Sequence, residues 1–195
     1  GLPPESWLLK SLPVESVSTL LSPDGSRLVL VGSGQYQVRE PEQLVAQRRQ
    51  ANWSQFKVLE IDSNGRHALI GGDEAVLVRL LDGAELARLP SLQAAAFHPD
   101  GGTLACARTD GTVSLHRLPD GAQLASWSCE AGLLRWHPSG KWFVSCNFRQ
   151  GSVTRWSDRW TRLGQLQGKV GALNLDFSPA RDLMSFCGRL YRCPE

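Results

Sequence analysis

Phe97-His98-Pro99-Asp100-Gly101 is followed eight residues later by Thr109-Asp110-Gly111-Thr112-Val113, and these two stretches decide how the chain folds. The first reads as a tight turn. Proline presets φ at the first central position, and Asp and Gly suit the positions after it. Residues 103–107 are a short run with a β-branched start, and residues 113–116 are another. Strand, turn and strand are the reading, with an apolar residue, Phe97, closing the strand before the first turn.

Working outward, the same turn recurs. Ser22-Pro23-Asp24-Gly25, Asp62-Ser63-Asn64-Gly65 and His137-Pro138-Ser139-Gly140 are full copies, and Ser178-Pro179-Ala180-Arg181 is a worn one. Successive starts lie 40, 36, 39 and 41 residues apart. Leu21, Ile61, Phe97, Trp136 and Phe177 precede the five copies as apolar anchors. After each turn comes a second run (27–31, 67–70, 103–107, 142–146), then a break and a third (36–39, 76–80, 113–116, 153–156). A further turn, such as Asp82-Gly83 or Asp120-Gly121, leads to a fourth run at 85–89 or 123–127. Four short strands per repeat with no helical period between them predict one propeller blade.

This pattern resembles the WD-repeat family over nearly the whole chain. Trp156-Ser157-Asp158 is close to the dipeptide that names the family, and the two stretches quoted first match its repeat core. The resemblance implies an all-β propeller of four-stranded antiparallel blades. The chain also departs from the pattern. Arg39, Arg79, His116 and Cys193 stand where Trp156 would recur, and the Gly-His pair is missing. The family's buried Asp–His–Ser/Thr–Trp network is therefore expected to be incomplete, with only Asp110 in place as its turn Asp.

Residues 9–13 (Leu-Lys-Ser-Leu-Pro) read like residues 86–90, a fourth strand. The expected single domain, 1–195, thus has repeats starting near 14, 55, 92, 131 and 170, and an N-terminal strand, 6–12, closing the last blade at 170–195. That gives five blades if the ring is self-contained. Otherwise the chain is the C-terminal part of a larger, seven-bladed ring.

Composition sets further bounds. No apolar window approaches a membrane span, and the first residues carry neither a basic n-region nor a long apolar h-region. Five cysteines without a CxxC or Cys/His spacing read as buried thiols, with a Cys187–Cys193 disulfide the alternative, and favour a cytoplasmic setting. Residues 1–130 hold 11 Lys/Arg against 15 Asp/Glu, a balance of −4, and residues 131–195 hold 10 against 4, a balance of +6. This asymmetry bears on partner choice and predicts a protein partner with an acidic patch over the basic half.

No catalytic motif is present: G-x-S-x-G, G-x-x-x-x-G-K-[ST], G-x-G-x-x-G and H-E-x-x-H are all missing. No cofactor or metal is expected. His98 and His137 open equivalent turns and read as local caps. Glu60, Arg135 and Asp176 precede three of the anchors and are placed to converge at a central channel, most simply as a charge network. Exposed aromatics beside arginines mark hot spots of binding, which singles out Arg48, Arg49, Trp53, Arg108, Trp142, Phe148 and Arg149. Trp142 is read as solvent-facing because Arg27, His67 and Thr103 hold its place elsewhere. The expected function is a non-enzymatic protein–protein interaction module. The alternatives are nucleic-acid binding by the basic C-terminal blades, or a small-molecule or metal-dependent propeller enzyme.

Overall fold

A computed structural model describes residues 18–32, 35–39, 46–50, 57–71, 74–118, 120–168, 175–178 and 182–193. Every regular element among them is a strand. The first sheet holds β1 (Ser18–Leu21), β2 (Leu28–Gly32), β3 (Gln35–Arg39) and β4 (Ala46–Gln50), and the second β5 (Lys57–Ile61), β6 (His67–Gly71), β7 (Glu74–Arg79) and β8 (Glu85–Pro90). The third holds β9 (Leu92–Phe97), β10 (Thr103–Arg108), β11 (Thr112–Arg117) and β12 (Gln123–Ser128). The fourth holds β13 (Leu133–Trp136), β14 (Trp142–Asn147), β15 (Ser152–Ser157) and β16 (Arg162–Gln167). The fifth holds β17 (Leu175–Phe177), β18 (Leu183–Phe186) and β19 (Arg189–Arg192). Each strand pairs antiparallel with the next in sequence, so every sheet is a meander of local hairpins, and the five together are propeller blades.

The repeated turn is built from backbone bonds. The carbonyls of Ser22, Asp62, His98 and His137 accept the N–H of the glycine three residues on, at 2.8, 3.1, 2.9 and 2.9 Å. Those glycines stand at φ between +61° and +73°, where a side chain is strained. The worn copy keeps the outer closure: Ser178 N–H donates to Leu183 O at 3.0 Å, as Ser22 N–H does to Arg27 O at 2.8 Å. Neighbouring turns are also tied across blades, Ser63 Oγ to Pro99 O at 2.6 Å and His98 Nε2 to Gly140 O at 2.9 Å.

Between blades lies the core. Four apolar clusters separate first from second blade, second from third, third from fourth and fourth from fifth. In β10, Leu104 and Cys106 face the second blade while Ala105 and Ala107 face the fourth. A strand buried on both faces must be apolar throughout, which is why the inner strands lack clean alternation. The alanines of β9 and β10 leave room that aromatic rings fill: Trp127, Trp136, Phe143 and Trp156 all pack between the third and fourth blades.

Four expectations are corrected. Trp142 is not solvent-facing. It is 2% exposed, between the fourth and fifth blades, with His137 stacked at 4.4 Å and the Arg155 guanidinium 4.2 Å from its ring. The polar residues at its place misled, because His67 there is itself buried and bonded to Asp62. Leu21 is 52% exposed, whereas Ile61, Phe97 and Trp136 are buried against the preceding blade. It lies on the leading face of the first blade. Arg48 and Arg49, expected from sequence in the long connection that carries Trp53, lie instead in β4, opposite Gln37 and Tyr36. Finally, Trp156 pairs with Phe143, and the corresponding partners of Ala68 and Met184 are Val78 and Tyr191, not Arg79 and Cys193. Residues 6–12 and Trp53 lie outside the described residues, and the fifth sheet has three strands among those described.

The indole N–H of Trp142 has no hydrogen-bond partner among the described residues. Trp142→Ala should therefore destabilise the fold by about 3–5 kcal/mol, by loss of apolar burial. Trp142→Phe should cost far less, since no bond is broken. Denaturant melts of both variants check this ordering, and equal stability of Trp142→Ala and wild type would contradict the burial.

Candidate functional site

In a four-stranded meander the turns between second and third strands share one edge with the connections leaving the fourth strand. Three such segments meet between the third and fourth blades: 109–111, 130–132 and 147–149. With Gln93 they line a cleft of about 210 Å³. Each segment is fixed by its own chemistry. Asp110 Oδ1 accepts the Thr112 N–H at 2.9 Å and its hydroxyl at 2.6 Å, and these bonds hold the Asp110 carboxyl below its ordinary range. Asn147 Oδ1 accepts the N–H groups of Arg149 and Gln150 at 3.0 and 3.1 Å, and its amide donates to Glu130 Oε2 at 3.0 Å. The Phe148 ring leans on Gly132, where even a Cβ would come within 2.6 Å of it.

Of the residues singled out from sequence, Phe148 and Arg149 line this cleft, and Arg108 ends the strand β10 beside it. Phe148 is half-buried and Arg149 exposed. Arg48 and Arg49 end up on the outer strand of the first blade, two blades away. Trp142 opens β14 and so belongs to the opposite edge. Sequence reading passed over Glu130 and Asn147. Their signal was topological: a connection after a fourth strand must fall beside the turns between second and third strands.

Two further polar sites are present. Trp156 donates its indole N–H to Ser145 Oγ at 2.9 Å, and Ser145 Oγ is 3.4 Å from the Cys129 thiol. This chain of three links the third-strand Trp156 and the second-strand Ser145 of the fourth blade to Cys129 in the connection from the third. On the inner strands, Glu60 lies within electrostatic reach of Arg135 and accepts the N–H of Phe97. Asp176 does not join them: it is exposed and bonds to the N–H of Phe177 at 2.9 Å. Burial outweighs both favourable contacts of Glu60 and pushes its carboxyl up to about 7. No group of three or more metal-ligating side chains occurs among the described residues.

Residues 88–117 match the family model for the WD domain, G-beta repeat. The chain fits the WD-repeat family. The matched segment begins in the outer strand of the second blade and ends with β11 of the third, so the sequence repeat is offset from the structural blade by one strand. WD repeats generally mediate protein–protein interaction. No curated protein matches the chain. Among the described residues no helix is long and apolar enough to cross a membrane.

The position of Glu60 has a consequence for stability. A carboxyl whose value is higher in the folded chain than its ordinary 4.5 binds its proton more tightly when folded. Its contribution is present below pH 4.5 and is lost as pH rises to about 7. Unfolding free energy should fall across that window by up to about 3 kcal/mol, at 1.36 kcal/mol per unit. Glu60→Gln should flatten the fall, as measured by urea melts from pH 4.5 to 7.5.

Proposed function

We propose that this WD-repeat chain is a non-enzymatic docking module, and that it engages a protein through the edge carrying Arg108, Phe148 and Arg149. The observation that supports this most is the cleft at that edge, where a half-buried aromatic ring stands beside an exposed arginine on rigid hairpin turns. Aromatic and arginine side chains together make up binding hot spots, and the Phe148 ring is held in place by its packing against the cluster between fourth and fifth blades. Trp53, and Arg48 and Arg49 of β4, remain candidates for the same surface on the first blade. The partner carries an acidic patch that faces Arg149, exposed in the turn between second and third strands of the basic fourth blade.

The same reading includes the domain itself: residues 6–12 supply the fourth strand of the last blade. An unpaired strand edge invites aggregation, and a strand of the same chain removes that risk. Deleting residues 1–12 should then cause aggregation or loss of cooperative unfolding. Unchanged melting of the truncated chain would rule this closure out.

For the docking edge, the double variant Phe148→Ala/Arg149→Glu should weaken binding to a partner isolated by proximity labelling by about 2 kcal/mol or more. The melting temperature should fall modestly, because Phe148 packs against the cluster between fourth and fifth blades, and Arg149→Glu alone, at an exposed residue, should weaken binding with the melting temperature unchanged. Raising ionic strength should slow association more than it hastens dissociation. Normal binding by the double variant would move the site to the opposite edge, where Trp160 stands.

A further inference from the structure

Resting on the reading that this edge docks a protein, we infer that the cleft between the third and fourth blades receives one basic side chain of the partner, with an adjoining apolar residue against Phe148. The walls carry two carboxylates from separate segments, Asp110 and Glu130, and one cation, Arg149. Gly111, Ala131 and Gly132 add almost no side-chain bulk, and a Cβ at Gly111 would sit 3.5 Å from the stem of Glu130. An opening of about 210 Å³ suits a single extended side chain, not a folded element.

The charges decide the sign. Asp82 and Asp120, on the other edge, each bind the arginine three residues before them, Arg79 and Arg117, at 2.6 Å. Neither Asp110 nor Glu130 forms an ion pair with an arginine or lysine among the described residues, and Arg108 acts on Asp110 only through its longer-range field. Each carboxylate is pinned through one oxygen, Oδ1 by Thr112 and Oε2 by Asn147. Oδ2 of Asp110 and Oε1 of Glu130 have no hydrogen-bond donor among the described residues. Arg149 holds its place by its backbone N–H on Asn147 and forms no ion pair with either acid among those residues. An acidic side chain entering here meets two like charges, whereas a lysine or arginine meets two opposite ones beside an aromatic ring. The acidic patch facing Arg149 would then flank the basic residue, giving the partner a mixed-charge segment.

The test uses the full isotope-labelled chain and three peptide probes: acetyl-Leu-Arg-Leu-amide, its Glu counterpart and its Ala counterpart. Amide shifts of Gly111, Ala131 and Gly132 are followed by NMR during titration. Saturable shifts are expected with the Arg probe alone, and Glu130→Gln should weaken them roughly two- to fivefold, the size of one partly exposed ion pair. Arg149→Gln should leave them equal or stronger. Equal or larger shifts with the Glu or Ala probe would overturn the basic specificity, as would an Arg-probe response indifferent to Glu130→Gln or no response to any probe. The docking edge itself is judged separately, by the loss of partner binding in Phe148→Ala/Arg149→Glu.

Discussion

The structure depends on one constraint: no blade can bury its own faces. A four-stranded meander has two apolar sides and no interior, so each sheet must lie against a neighbour on both. The four clusters meet this demand, each drawing residues from two consecutive blades. Val29 and Val31 pack with Ile70 and Val76, Leu69 and Leu77 with Leu104 and Cys106, and Trp142 and Val144 with Met184 and Phe186. Stability is then shared along the row of blades, and no hairpin carries a core of its own. The exposed Leu21 and Leu190 mark faces at either end of that row that no described blade covers.

The same constraint makes one edge available for recognition. Strands are committed to neighbouring blades, whereas the turns present exposed side chains such as Asp110 and Arg149. At the junction of third and fourth blades the turn chemistry is unusually directed: Asp110 and Asn147 fix their hairpins with side-chain oxygens, and Glu130 is held by Asn147 from the adjoining connection. Three segments distant in sequence thereby become one surface. Glu60 and Arg135 belong to another level, close to the inner strands, and bear on stability.

Much of this was legible in the sequence because turns are local. A glycine three residues after a Ser, Asp or His located four of the turns between first and second strands, a worn Ser-Pro copy located the fifth, and strands β6, β8, β10, β12 and β14 begin where the runs begin. Side-chain direction was less legible. Trp142 was misjudged because its place is polar in other repeats, and only the packing reveals that His67 there is satisfied by Asp62. The strand β4, with sequence AQRRQ, has no apolar alternation to betray it, since it lies at the outer edge of its blade. The register error at Arg79 and Cys193 arose from turns of unequal length between second and third strands. For the candidate site, residue types pointed to Phe148 and Arg149, but the carboxylates opposite them come from another blade and a connection, and no local pattern links the three.

Hydrogen–deuterium exchange of the chain with and without its partner tests the docking edge most directly. The account predicts slowed exchange confined to residues 109–111, 130–132 and 147–151 when the partner is bound. Protection at residues 137–141 and 157–161 on the opposite edge, with these three segments unchanged, would contradict it.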